Sequence, residues 1–298
     1  MFVQTNTVEA VKSYFRERLQ DQFSESEIRQ MLKTAVCERL KLSSADYLLS
    51  DRHLLSESDL LYFRSIVKRL QANEPFQYII GHTDFYGLTI KTDNRALIPR
   101  PETEELVRWI LEDHSDRKEL KVIDLCTGSG CIALALSSAL TDSKIIGVDV
   151  SKDALNLAEE NTVLLGLGVE WLELDLLEPA TYSGFEASSF DVWVSNPPYI
   201  PFADRSSMAE NVLEHEPHMA LFVDDHDPLL FYRVIAQQGK KYLKKGGSLY
   251  FEIHEDLADA VVQLLQTENY FSVEVRKDMQ GKDRMVKAVR SVFVGSSY

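Results

Sequence analysis

Asp124-Leu125-Cys126-Thr127-Gly128-Ser129-Gly130 follows the apolar run Lys121–Leu125 and leads into a stretch, about residues 130–140, with helical spacing. A strand that turns through glycines into a helix exposes unpaired helix N–H groups, and its backbone can pass close to a ligand. The next apolar run, Lys144–Val148, ends in Gly147-Val148-Asp149. Asp149 stands 19 residues after Gly130, where an acidic side chain meets ribose hydroxyls in nucleotide-type sites.

Outward from this loop, strands and helices alternate. Val169–Leu174, Phe190–Ser195 and Ser248–Ile253 join Lys121–Leu125 and Lys144–Val148 as candidate parallel strands. Helical stretches at about 130–140, 152–165, 227–243 and 255–267 lie between or after them. Phe271–Arg276 and Arg284–Arg290 are two further strands that could close the sheet edge. The pattern predicts a doubly wound α/β domain that binds its ligand at the carboxyl ends of the strands. Residues 1–75 contain no glycine and read as helices, with Val8, Val11, Tyr14, Phe15 and Leu19 on one face. A Ser24–Glu27 capping box opens a second helical run, and a third covers about Ser58 to Gln71. This unit is either a helical cap or dimerisation module or a substrate-docking domain. Between it and the α/β domain, residues 76–98 predict a β-hairpin linker with strands at Tyr78-Ile79-Ile80-Gly81 and Phe85-Tyr86-Gly87-Leu88-Thr89-Ile90. Residues 99–298 then form the ligand-binding domain.

The glycine loop lacks the GxGxxG spacing of a dinucleotide site and the Lys-Ser or Lys-Thr of a P-loop. It resembles motif I of class I methyltransferases, with Cys126 in place of the first glycine. If that position needs φ > 0, cysteine is strained there. The strand Phe190–Ser195 runs into Asn196-Pro197-Pro198-Tyr199. An amide or exocyclic amine is a poor nucleophile because its lone pair is delocalised. Methylating it requires acceptors for both N–H bonds: the Asn196 side-chain oxygen and the Pro197 carbonyl suit this role. Pro197 and Pro198 stiffen the loop, and Tyr199 offers a flat face to a planar group. No strong base is needed when the methyl donor is already activated, so positioning and electrostatics carry the catalysis.

Composition narrows the partners. The net charge of −15 among 298 residues argues against a large phosphate-tracking surface and favours a protein partner with a basic patch. Three cysteines, Cys37, Cys126 and Cys131, with no CxxC pair, point to a reducing compartment without a zinc site. The polar N-terminus lacks a signal core, and no apolar run is long enough to span a bilayer, so a cytoplasmic protein is expected. Glu214-His215-Glu216-Pro217-His218 lacks HExxH spacing and is expected to order a loop without holding a metal. Lys240-Lys241 and Lys244-Lys245 are expected on the last turns of a helix.

From about Glu74 to Arg290 the sequence resembles the release factor glutamine methyltransferases, the HemK/PrmC family. The resemblance rests on Gly81–Gly87, Ile98-Pro99-Arg100-Pro101-Glu102-Thr103-Glu104, Asp124–Gly130, Asn196–Tyr199 and Gly281-Lys282-Asp283-Arg284. It implies a Rossmann-like class I methyltransferase domain preceded by a small helical domain. It also implies S-adenosylmethionine as cofactor and methyl transfer to the glutamine of a Gly-Gly-Gln loop in class I peptide-chain release factors. Carried over by motif, the loop from Cys126 through Thr127, Gly128, Ser129 and Gly130, together with Asp149, would hold the cofactor. Asp175 and Leu176 would flank the adenine, and Asn196, Pro197, Pro198 and Tyr199 would hold the glutamine, with Asn196 also touching the cofactor. Three other readings use some of the same loops: an adenine-N6 nucleic-acid methyltransferase, a non-catalytic Rossmann-type binding protein, and an NAD-dependent oxidoreductase. The first calls for a basic groove or target-recognition domain. The second has no need for Asn-Pro-Pro-Tyr, and the third lacks GxGxxG.

Overall fold

The structure, a computed structural model, describes residues 3–292, apart from the side chains of Pro179 and Ser207. It divides into two units. One comprises Met1–Gly81 with Ala209–His215, and the other His82–Met208 with Glu216–Tyr298.

The first unit contains α1 (Val8–Leu19), α2 (Glu25–Leu40), α3 (Ser44–Leu48), α4 (Glu57–Gln71) and α5 (Phe76–Ile80). Ser24 with Glu27, and Ser56 with Asp59, form reciprocal capping boxes that satisfy the first N–H groups of α2 and α4. Val8, Val11, Phe15 and Leu19 of α1 meet Ile28, Leu32 and Val36 of α2 and Phe63, Val67 and Leu70 of α4 in one core. Tyr78–Ile80, expected as a strand, is instead the helical turn α5. Gly81 ends it at φ 86°, and the Arg69 guanidinium takes the carbonyls of Tyr78 and Ile79 at 3.3 and 3.2 Å. That arginine binds carbonyls a strand would have paired, a partner too distant in sequence for local periodicity to reveal.

The second unit opens with the hairpin β1 (His82–Phe85) and β2 (Leu88–Lys91), in which Phe85 faces Leu88. Tyr86 (φ 49°) and Gly87 (φ 77°) form the two-residue turn, so the expected strand Phe85–Ile90 is split there. There follow α6 (Pro101–Asp113), β3 (Lys121–Leu125), α7 (Cys131–Ala139), β4 (Lys144–Asp149), α8 (Lys152–Leu165), β5 (Glu170–Glu173) and β6 (Phe190–Ser195). The short β7 (Ile200–Pro201) and β8 (Phe222–Val223) pair with each other. Between them lie α9 (Glu210–His215), which belongs to the first unit, and α10 (His218–Leu221). The chain ends with α11 (Leu230–Tyr242), β9 (Leu243–Glu252), α12 (Ala258–Thr267), β10 (Tyr270–Lys277) and β11 (Asp283–Arg290).

The main sheet has the order β10-β11-β9-β6-β3-β4-β5. β9, β6, β3, β4 and β5 run parallel, and β11 is antiparallel to both β9 and β10. From β3 the chain steps outward to β4 and β5; from β6, on the other side of β3, it steps outward to β9. The strand order therefore reverses between β3 and β6, and a crevice opens beyond their carboxyl ends. β6 is buried along its whole length, and Trp193 stacks on Tyr182 and Tyr242 beneath it. Lys244 and Lys245 lie in β9, not on a helix end. Lys244 reaches the buried carboxylate of Asp191 at 2.7 Å, an attraction that outweighs any interaction with a helix dipole.

Candidate active site

The glycine loop lies across that crevice. Cys126, the first residue after β3, has φ 61°, so the position does demand the left-handed region where the related motif carries glycine. A cysteine there costs roughly 1–2 kcal/mol. Cys126 is half-buried, and desolvation holds its thiol pKa well above the usual range, which disfavours the nucleophilic thiolate. Thr127 N–H donates to the Val148 carbonyl at 3.0 Å, tying the loop to β4. Gly128 and Gly130 have φ of 55° and 83°, and Gly130 opens α7. Asp149 closes the arrangement. One carboxylate oxygen accepts Gly128 N–H and the other Ser151 N–H, both at 2.9 Å. Burial raises its pKa, and the backbone bonds oppose that rise. Each oxygen keeps a further lone pair for a hydroxyl.

The loop borders a cleft of about 150 Å³. Its walls include Cys126, Thr127, Gly128, Ser129, Asp149, Asp175, Leu176, Asn196 and Pro198. Gly130, Pro197 and Tyr199 are not on the wall. Gly130 packs beneath the loop, where a Cβ would lie 2.7 Å from Trp171. The Tyr199 hydroxyl donates to Glu252 at 3.2 Å, and its ring meets His254 edge-on, so it does not face the cleft as a stacking platform. A second wall comes from residues the sequence singled out only as a motif: Ile98, Pro99, Arg100 and Thr103. Glu216 secures this wall. Its buried carboxylate accepts Ile98 N–H at 3.1 Å and binds Arg100 at 2.6 Å. In the same acidic run, His215 contacts the Ala72 carbonyl at 3.1 Å. Met219 and Ala220 of α10 and Phe231 of α11 add to the apolar lining; nothing in the sequence sets these single apolar residues apart from core residues.

The site fits an adenosyl ligand with a charged methionine tail. Ser129 Oγ is buried at the cleft with no hydrogen-bond partner among the described residues, and Asp149 retains acceptor capacity beside it. Beneath the loop, the buried Asp124 carboxyl takes the Thr127 hydroxyl at 2.5 Å. Burial, against the help of that bond, pushes its pKa up to about 7.

Comparison with known proteins matches residues 116–290 to the methyltransferase domain and residues 11–81 to the PrmC N-terminal domain. A release factor glutamine methyltransferase from Flavobacterium psychrophilum is 38% identical over 283 residues, 93% of this chain and 98% of the relative. One from Bacteroides thetaiotaomicron is 38% identical over 280 residues, 94% and 99% of the two chains. The chain belongs to the release factor glutamine methyltransferase family. Among solved structures, a methyltransferase from Pyrococcus furiosus shares the fold at a TM-score of 0.52 and 17% identity, covering 76% of this chain and all of that one. Membership makes S-adenosylmethionine the cofactor of this chain.

Asp124 gives the family site a pH signature. From about pH 4 to pH 7 the unfolded chain releases this proton while the folded chain keeps it, so the group's contribution to stability falls over that window and levels off above it. Asn cannot ionise but can still accept from Thr127. Asp124→Asn should therefore gain on the parent as pH rises, by about 2–4 kcal/mol in all. Melting curves at pH 5.5 and 8.5 test this; a parent–variant gap that does not change with pH would mean Asp124 stays ionised throughout.

Proposed function

We propose that the protein methylates the side-chain amide nitrogen (N5) of the glutamine in the Gly-Gly-Gln loop of class I peptide-chain release factors, in the cytoplasm. S-adenosylmethionine supplies an electrophilic methyl on a sulfonium. The residues of this chain bind and orient. Asp149 and the Thr127–Ser129 backbone would hold the ribose and the methionine tail, and Asp175 and Leu176 would flank the adenine. Asn196 Oδ1 and the Pro197 carbonyl would each accept one N–H of the glutamine amide, turning the nitrogen's lone pair toward the methyl. The observation that carries this reading is Asn196 on the wall of the cofactor cleft, with its amide nitrogen on Thr103 and its oxygen left to accept.

The helical unit is proposed to dock the protein substrate away from the reacting glutamine. Leu48, Leu49, Leu54 and Leu61 are exposed on it, and a glutamine side chain alone offers little area for selection. One experiment tests both parts. Enzyme and methyl-labelled cofactor are incubated with intact release factor, with a short Gly-Gly-Gln peptide and with DNA. Label should enter the factor at its glutamine, the peptide poorly and DNA not at all. Leu48→Ser/Leu49→Ser should lower kcat/KM on the factor about tenfold and leave the peptide rate unchanged. Labelled DNA with an unlabelled factor would replace the reading with the adenine-N6 one. Equal factor rates for parent and leucine variant would remove the docking role from these side chains.

A further inference from the structure

Glu252 ends β9 at the carboxyl edge of the sheet, fully buried, and the reaction as described gives it no task. It accepts the Thr103 hydroxyl at 2.6 Å on one oxygen and the Tyr199 hydroxyl at 3.2 Å on the other, while Tyr232 donates to its main-chain carbonyl at 3.2 Å. Burial raises its pKa, and the hydroxyls of Thr103 and Tyr199 together with the charge of Arg284, itself held by Asp278 at 3.1 Å, oppose that rise. Thr103, also buried, lies in turn 3.4 Å from the Asn196 side-chain nitrogen.

Proton count gives this chain a direction. Each Glu252 oxygen accepts a hydroxyl, one from Thr103 and the other from Tyr199, so the Thr103 hydroxyl donates to the carboxylate. That uses the only proton on the hydroxyl, so toward Asn196 the same oxygen can only accept. Asn196 must then turn its NH₂ to Thr103 and its carbonyl oxygen away. We propose that Glu252 and Thr103 are positioning residues that fix the orientation of the Asn196 amide, and that this orientation makes the site choose an amide over a carboxylate. The inference rests on the function proposed above. A glutamine amide offers N–H donors to Asn196 Oδ1. A glutamate at the same place would set oxygen against oxygen, and a buried polar group left unpaired is what gives such sites their discrimination. Tyr199, on the other oxygen, anchors the far end of the Asn196–Tyr199 loop to the same carboxylate.

The test uses the whole enzyme, intact release factor, and the same factor with its glutamine replaced by glutamate, as an inhibitor. Thr103→Val removes the hydroxyl, Thr103→Ser keeps it, and Glu252→Gln lets the relay run in either direction. Thr103→Val and Glu252→Gln should each lower kcat about 10- to 100-fold with cofactor affinity unchanged, and Thr103→Ser should restore most of the parent rate. In both weakened variants, the preference for the glutamine factor over the glutamate factor in binding should fall about tenfold, since Asn196 is then free to offer its NH₂. A plain packing defect would weaken both factors alike. The loss from Thr103→Val should also disappear when Asn196 is already alanine. An unchanged preference, or Thr103→Val costing as much without Asn196 as with it, overturns the relay while leaving the proposed function standing. A parent enzyme that fails to methylate the factor overturns both.

Discussion

Asn196→Ala should lower the single-turnover rate of methyl transfer by about 10²–10³, the loss typical when one preorganised hydrogen-bond partner of a reacting group is removed. Cofactor affinity should change by no more than a few-fold. Asp149, with its two backbone bonds, and the Thr127–Gly130 loop stay in place without Asn196. The side chain sits on the rigid end of β6, where the preceding Ser195 hydroxyl is bonded to the Leu125 carbonyl at 2.7 Å, so truncation should not displace the strand. Because the missing acceptor matters most as the nitrogen begins to bond to the methyl, kcat should fall with kcat/KM and KM should move little. Calorimetry for the cofactor and rapid-quench transfer on the intact factor separate the two effects. A rate within threefold of the parent would make the Asn196–Tyr199 segment a structural turn.

The sheet could be read in the sequence because most of its parallel strands are apolar runs, and β3, β4 and β9 are each followed by a helix with its own period. The ends Lys121–Leu125 and Phe190–Ser195 match the observed strands, since the pattern breaks at once after them, at Cys126-Thr127 and at Asn196, which line the cleft. The hairpin strands lie away from the apolar runs that predict them, because such runs do not show that Arg69 caps the Tyr78 and Ile79 carbonyls or that Tyr86 takes a positive φ. The cleft was half legible. Glycines and Asp149 announce themselves by spacing, but Glu216 and Glu252 act across 116 and 149 residues, on Arg100 and Thr103 respectively. The rule that ligands gather at carboxyl strand ends points to Glu252, the last residue of its strand, whereas Glu216 lies in an acidic run that gives no such cue. Tyr199 was legible as a motif residue but not in its role, because only the folded chain shows its hydroxyl committed to a buried carboxylate.

Gly147→Ala should destabilise the protein by about 3 kcal/mol, enough to lower Tm by about 5–10 °C, and weaken cofactor binding with it. Nothing in the sequence marks this glycine as special, and its backbone needs no positive φ; the reason is a neighbour. Gly147 on β4 stands directly opposite Trp171 on β5. A Cβ there would lie 2.1 and 2.5 Å from atoms of the indole ring and 3.0 Å from the Thr127 hydroxyl, far inside contact distance. The ring cannot simply swing clear. Its Nε1–H is bonded to Thr162 Oγ1 at 3.0 Å, and its far edge lies under Gly130, where a Cβ would be 2.7 Å away. The added methyl must therefore push either the strand pair or Thr127, and through Thr127 the loop that lines the cleft. Removing the ring should relieve the clash: Trp171→Leu, costly in the parent because it leaves a cavity, should raise the Tm of the Gly147→Ala protein. That reversal of sign is the decisive measurement. If Trp171→Leu lowers Tm equally in both backgrounds, the two residues are not packed as described, and the small residue at 147 has another cause.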